Sequence, residues 1–305
     1  MNMDALNPER KRACLIVNPI SGSHMRVTRQ LRIDGHLDRN LLDYEIKTTR
    51  CPGDAVGLAR QAVAEGADFV VAVGGDGTVN EVGQGLVHTG VPMGIIPCGS
   101  GNGLARHLGI SMDPSTALRD LAGSRIADID YGKVNGRVFF TTCGIGFDAL
   151  VSEKFAEGRH RGKLEYVKNI LRELRRYKVC NYRMNIDGRD VENEAFLITC
   201  ANANQWGNDA FIAPEASLND GFLDLTVIGD VPVLEMPVLM HLLLHKELTL
   251  SNLYSGTKCR CVRIYRDEPT LIHCDGEPDK LEGDLDIEIV RSGLKVAVPQ
   301  RSRSI

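Results

Sequence analysis

The sequence predicts an α/β domain built on a parallel sheet, followed by a mainly antiparallel β-sandwich domain. Three observations point that way. Over the first 125 residues, short apolar runs alternate with stretches of helical period, as in a parallel sheet covered by helices. Beyond residue 125, short strand-like runs follow one another with few helical segments between them. The 305 residues are also too many for one ordinary core, at a prior of about 150 residues per domain. The boundaries read as 1–125 and 126–290, with a closing segment, 291–305, that can pack back on the first domain.

In the first domain, Ala13–Asn18 is a short apolar run ending in the turn signal Asn-Pro, and Tyr44–Thr48 alternates as a strand does. Asp54 can cap a helix running to Glu65 with Val56, Ala59, Ala62 and Val63 on one face. Phe69–Val73 is an unbroken apolar run, the mark of a strand buried on both faces of a parallel sheet. Thr78 and Glu81 have capping-box spacing, so a helix is expected directly after the turn Gly74–Gly77. Met93–Ile96 reads as strand and Gly103–Leu108 as helix. In the second domain, strands are expected at 127–134, 138–143, 179–186, 195–201, 223–228, 259–266, 271–274, 285–290 and 294–298. Helices are expected at about 148–177 and 231–245.

Composition narrows the function. Net charge is 36 − 40 = −4, aromatics are 5% and there is one Trp, so a nucleic-acid surface built on charge and base stacking is not expected. The nine cysteines include no C-x-x-C pair, and several lie in apolar runs, which suits reduced thiols in a cytoplasmic protein. Met1–Arg12 is polar, and the longest apolar stretch, Val231–Leu244, is broken by Glu235, Pro237 and His241. That stretch is too short to span about 30 Å of hydrocarbon and reads as a core helix or the lining of an acyl pocket. The histidines show no metal-ligand spacing.

Two motifs carry chemistry. The run from Val70 to Asn80 is a buried strand, a turn with Gly74, Gly75 and Gly77, then a helix. Glycines let backbone approach a ligand closely, and a helix N-terminus offers unpaired N–H groups to an anion. Asp76 among those glycines would repel phosphate unless a cation intervenes, which points to Mg²⁺ carried with a nucleotide. The run from Ile95 to Arg106 repeats the construction with Gly99, Ser100, Gly101 and Asn102. Either turn alone is explained by tight strand–helix geometry; two at the carboxyl ends of parallel strands define a ligand crevice. The sequence has no G-x-x-x-x-G-K-[ST], no H-R-D or D-F-G set and no G-x-G-x-x-G after the first strand.

These pieces resemble the diacylglycerol kinase catalytic-domain family of lipid kinases, which includes bacterial diacylglycerol kinases and the sphingosine and ceramide kinases. The matching runs are Asn18–Gly22, Gly74–Thr78, Pro97–Asn102, Asp130–Asn135, Gly144–Ala149, Asn219–Asp224 and Asp275–Pro278, in family order. The resemblance implies ATP in a crevice between an α/β domain and a β-sandwich domain, touched by Thr49, Gly74, Gly75, Asp76, Gly77, Thr78, Val79, Asn80 and Ser100. It implies that Asp76 acts through Mg²⁺ and that Glu277 is the general base, with Asp275 beside it. It further implies a structural Mg²⁺ on Ser217, Asp220 and Phe222, and Asp130 near the lipid headgroup. Read without the resemblance, Asp275-Gly276-Glu277 and Asn219-Asp220-Gly221 are hairpin turns.

Gly103 stands where many bacterial diacylglycerol kinases have Asp, and Gly99–Asn102 is closer to the sphingosine and ceramide kinase form, so the lipid stays open. The expected function is transfer of the ATP γ-phosphate to a hydroxyl of a diacylglycerol- or sphingoid-type lipid, within lipid metabolism and in peripheral contact with a membrane. The alternatives are an NAD kinase-like phosphotransferase and a non-catalytic binding regulator. Arg159–Lys178 reads as a basic amphipathic helix able to meet anionic headgroups. Oligomeric state is open, and a dimer is compatible with the sequence.

Overall fold

The structure, a computed structural model, describes residues 11–21, 42–157 and 177–302. It divides into two compact units, one up to Ile129 and again from Gly293, the other Asp130–Ser292.

The first unit opens with β1 (Lys11–Val17), β2 (Leu42–Thr48), α1 (Asp54–Ala64), β3 (Phe69–Gly74), α2 (Asp76–Leu86), β4 (Met93–Pro97), α3 (Gly103–His107) and α4 (Pro114–Ala122). Its strands pair in parallel in the order β2-β1-β3-β4. Val70, Ala72 and Val73 of β3 are fully buried beside Ile16 and Ile96, which is why this run carries no polar residue. Each such Val or Ile contributes about 1.5–3 kcal/mol by leaving water. Register decides where the site falls. Val17 pairs with Val73 and Gly74 with Pro97, so β1, β3 and β4 end together and their following loops share one sheet edge.

Helix starts differ from the expectation. α2 begins at Asp76, inside the glycine turn, with Gly75 at its N-cap and no side-chain cap. Glu81 is therefore not half of a capping box. Its carboxylate accepts the N–H groups of Gly53 and Ala55 and caps the neighbouring helix α1. The α1 N-cap is Gly53 at φ 86°, which leaves Asp54 to accept the Arg50 N–H. The unforeseen α4 starts with Pro114, and the Asp113 carboxylate accepts from the Thr116 N–H.

β5 (Arg125–Val134) passes from the first unit into the second. Then come β6 (Arg137–Phe139), β7 (Thr142–Gly146), α5 (Phe147–Glu157), β8 (Cys180–Ile186), β9 (Arg189–Ala195), β10 (Leu197–Ala201), β11 (Leu223–Ile228), α6 (Met236–Leu244), β12 (Tyr254–Cys259), β13 (Cys261–Ile264), β14 (Thr270–Cys274), β15 (Glu277–Leu281) and β16 (Leu285–Val298). One antiparallel sheet runs β12-β11-β10-β7-β14-β15. Facing it, β16, β13, β8 and β9 pair antiparallel, with the β5–β6 hairpin joined through β16. Phe139, Tyr182, Met184 and Ile287 from the second sheet meet Cys143, Ile198, Leu225 and Ile272 from the first in one apolar core, a β-sandwich.

The run 138–143, expected as one strand, breaks at Phe140-Thr141, whose N–H groups go to the Asp275 carboxylate instead of a ladder. The run 259–266 breaks after Cys259, because the Arg260 N–H goes to the Asp187 carboxylate. β9 and β15, unforeseen, are polar sheet edges without an apolar run. Beyond Ser292, the end of β16 belongs to the first unit, where Val296 pairs in parallel with Met93 and Lys295 bonds Asp128 at 2.8 Å. The basic stretch expected at 159–178 lies outside the described residues up to Arg176. Among the described residues, no helix is long and apolar enough to cross a membrane.

Candidate active site

At the shared edge of the first unit, the two glycine turns touch backbone to backbone. A Cβ on Gly99 would fall 2.6 Å from Gly75 Cα, and one on Gly74 would fall 2.5 Å from Thr78 Cβ. Neither position admits a side chain, and that lets the two turns close on each other at the start of α2, a helix N-terminus of the kind that receives anions. Asn18, at the end of β1, donates to Thr78 Oγ1 at 3.1 Å, and Thr49, at the end of β2, donates its N–H to Val17 O at 3.0 Å. Thr78, Val79 and Asn80 are buried, and Asn80 Oδ1 accepts from Gln84. Ser100 is exposed on the second turn.

Asp76 joins the two turns. Its Oδ2 accepts the Asn102 N–H at 2.8 Å and its Oδ1 the Gly103 N–H at 2.7 Å, capping α3. Asn102 reaches that position through a left-handed φ of 54°, held by Asn102 Oδ1 accepting from the Gly99 N–H. A carboxylate has about four acceptor directions, so these two bonds do not by themselves exclude a cation that arrives with phosphate. The cradle that a Cβ would fill, with the Asp76 carboxylate beside it, fits a nucleotide phosphate with its metal. Cys98 sits in the same turn, but burial pushes its thiol up to about 11, so it stays protonated and is no nucleophile at neutral pH.

In the second unit, Asp275 (φ 51°) and Gly276 (φ 83°) make the tight turn between β14 and β15. Asp275 accepts from Phe140 N at 2.9 Å, Thr141 N at 2.7 Å, Thr141 Oγ1 at 2.5 Å and Thr142 N at 3.1 Å. That carboxylate is committed to holding the turn. Glu277, two residues on, is exposed and without a partner among the described residues. Behind the turn, the Gly276 N–H faces His273 Nδ1 at 3.2 Å. Buried His273 Nε2 lies 2.9 Å from Asp148 Oδ1. Asp148 Oδ2 accepts from Thr199 at 2.7 Å. Burial lowers the His273 pKa, but the Asp148 carboxylate, with Asp275 beyond it, outweighs burial and leaves it raised.

The remaining acidic residues hold a loop. Asp130 is 1% exposed, and its carboxylate accepts the Gly221 and Ser292 N–H groups, each at 2.7 Å. Both of its oxygens thus accept from backbone N–H groups, one of them in the Asn219–Gly221 loop. Asp220 Oδ1 accepts the Phe222 N–H at 3.0 Å, and its Oδ2 pairs with Lys258 Nζ at 2.8 Å. Lys258 also bonds Asp224 at 2.9 Å, while Ser217 Oγ donates to Asn219 Oδ1. Burial raises the Asp224 pKa against the pull of Lys258. For Lys258, burial lowers the pKa, and the bonds to Asp220 and Asp224 outweigh it.

The nucleotide residues expected from sequence thus gather at one edge of the first unit, and Asp275, Glu277, Asp130 and Asp220 lie on the second. The sequence places Asn102 in the second glycine turn but gives no role to Thr141, Asp148, His273 or Lys258. Asp148 lies within the quoted run 144–149, and only the fold shows that it meets His273. A cavity of about 140 Å³ lies at the other, N-terminal ends of β1 and β2, lined by Arg12, Tyr44 and Glu65, away from both glycine turns.

An α/β unit with paired glycine turns and a separate β-sandwich define a kinase class. Residues 12–134 match the family model "Diacylglycerol kinase catalytic domain", and residues 141–298, more than half of the chain, match "YegS C-terminal NAD kinase beta sandwich-like domain". The chain belongs to the diacylglycerol kinase catalytic-domain family and is a lipid kinase. It is 29% identical to a diacylglycerol kinase of Bacillus subtilis (strain 168) over 272 residues, covering 88% of this chain and 90% of that one. It is 35% identical to a diacylglycerol kinase of Mycobacterium tuberculosis over 182 residues, covering 57% and 59%. A crystal structure from Bacillus anthracis str. Sterne has the same fold, with a TM-score of 0.79 at 24% identity, covering 99% of this chain and 100% of that one.

Proposed function

We propose that this lipid kinase transfers the γ-phosphate of ATP to a hydroxyl of a diacylglycerol- or sphingoid-type lipid. The observation that carries the reading is the contact of two glycine turns at one sheet edge, strapped together by Asp76. In the proposal, Gly74–Asn80 and Ser100 present the nucleotide with backbone N–H groups and a hydroxyl, with Thr49 beside them. Thr78, fixed by Asn18, orients the first turn of α2. Mg²⁺ bound with the nucleotide supplies charge neutralisation at the phosphates, and Asp76 is the residue that would hold it.

Glu277 takes the proton of the lipid hydroxyl. It is an accessible carboxylate next to a turn that Asp275 fixes with four bonds, and a general base must be both free and positioned. Asp130 affects substrate only through the Asn219–Gly221 loop that it anchors. Peripheral lipid contact falls to the stretch from Val233 to Leu250. Six of the nine exposed large apolar side chains among the described residues lie there, Leu234 the most exposed at 91%.

Transfer of labelled γ-phosphate into mixed micelles carrying diacylglycerol, ceramide, a sphingoid base or monoacylglycerol tests the reading, with Glu277→Gln as the blank and NAD as a soluble control. Label in one lipid, at least about 100-fold above the blank, is expected. Label on NAD alone, or on no acceptor with ATP still bound, overturns it.

A further inference from the structure

The loop that the family resemblance would give to a structural Mg²⁺ already holds a cation of its own. We propose that the Lys258 ammonium takes the place of that metal ion in this chain, so that the Asn219–Phe222 loop is ordered without a divalent cation.

The placement of Lys258 comes from the backbone. It is the direct cross-strand partner of Asp224 in the β11–β12 ladder, so its Cα is fixed opposite that carboxylate before any side chain is considered. From there Nζ reaches Asp224 at 2.9 Å and Asp220 at 2.8 Å, one ammonium bridging two carboxylates. Asp220 is the only carboxylate in the expected donor set of Ser217, Asp220 and Phe222. One of its oxygens is on the ammonium and the other on the Phe222 N–H. A divalent ion binding Asp220 would lie within a few ångströms of the ammonium and be repelled.

The surroundings add to this. The Arg260 guanidinium lies 5.0 Å over the Phe222 ring, and the Arg291 side chain packs on Gly221, so close that a Cβ there would fall 2.6 Å from Arg291 Nε. The loop thus faces three side chains that are positive at neutral pH. A magnesium ion needs near-octahedral oxygen ligation, whereas an ammonium needs only acceptors within reach of its three donors. The donors here suit the second.

Loop order and the proposed catalysis separate cleanly in the test, which uses the full-length protein without ATP or lipid. Unfolding is followed by scanning fluorimetry in EDTA, in MgCl₂ and in NaCl of matched ionic strength. The wild type is expected to melt at the same temperature in MgCl₂ and NaCl. Lys258→Met leaves Asp220 and Asp224 uncompensated; it is expected to melt lower in EDTA and to regain stability in MgCl₂, because the freed carboxylates can then take the metal. A wild-type melting temperature that rises with Mg²⁺ over matched NaCl, with the rise lost in Asp220→Asn, overturns the proposal. So does a Lys258→Met protein that melts like the wild type in EDTA. If Lys258→Met does not fold, calorimetric titration of the wild type with MgCl₂ decides, since saturable binding lost in Asp220→Asn gives the loop back to the metal.

Discussion

Asp76 accepts a backbone N–H at each carboxylate oxygen, and an asparagine amide can accept at only one of them. Asp76→Asn therefore turns an N–H₂ group toward one of the two donors and releases one end of the strap between the glycine turns. It is expected to cost about 1–3 kcal/mol of stability as well as turnover, read by urea denaturation beside the kinase assay. Glu277→Gln should separate the two: stability unchanged, kcat down at least about 100-fold, and KM for ATP unchanged. Full turnover in Glu277→Gln would remove it as the base. The residue types of both turns were legible because glycine and aspartate in that order leave few structural options. The strap itself was not legible, since it depends on Asn102 adopting a left-handed φ of 54° some 26 positions away.

Among the elements, α6 departs furthest from its sequence reading. A core helix was one expectation for its apolar run. Leu239 and Leu243 do enter the core, but Val238, Met240 and Leu244 face outward, as do Leu234 before the helix and Leu250 after it. Apart from His241, α6 is apolar on every side, a pattern that belongs inside a protein or against lipid, and among the described residues only its Leu239–Leu243 face is covered. Leu234→Asp with Leu250→Asp is expected to lower co-sedimentation with diacylglycerol-containing vesicles at least about tenfold, since each large apolar side chain contributes about 1.5–3 kcal/mol when it leaves water. The melting temperature should not move, because neither side chain is part of the core. Vesicle binding equal to that of the wild type would remove this stretch from lipid contact. Periodicity did mark the buried strands β3 and β4, where every side chain is apolar. It missed β9 and β15, whose polar edges follow no such pattern, and it ran one strand across Phe140-Thr141 because the competing acceptor, Asp275, comes from a distant hairpin.

At the scale of the whole molecule, buried ionisable groups set the dependence of stability on pH. The folded protein holds a proton on His273 more tightly than the unfolded chain does, because the Asp148 carboxylate outweighs burial. With more protons bound in the folded state, unfolding free energy falls as pH rises. The His273 contribution is thus complete below its ordinary value of 6.5 and is lost as pH climbs from there through the raised folded value. It is a net figure, since the Gly276 N–H can use Nδ1 only when that nitrogen is unprotonated. The buried thiols form a second, separate window. Cys14 and Cys259 are each pushed up to about 12, Cys14 chiefly by burial and then by Glu45, Cys259 chiefly by burial and then by Asp187. Their contribution is present below the ordinary thiol value of 9.0 and is lost above it. Above pH 6, urea denaturation under reducing conditions should therefore show falling segments for the wild type starting near 6.5 and near 9.0. His273→Gln should flatten the first and leave the second in place. A His273→Gln profile running parallel to the wild type from pH 6 to pH 8 would mean that the imidazole and Asp148 do not exchange a proton with the folding equilibrium, and the pair behind the Glu277 turn would then be a neutral packing contact.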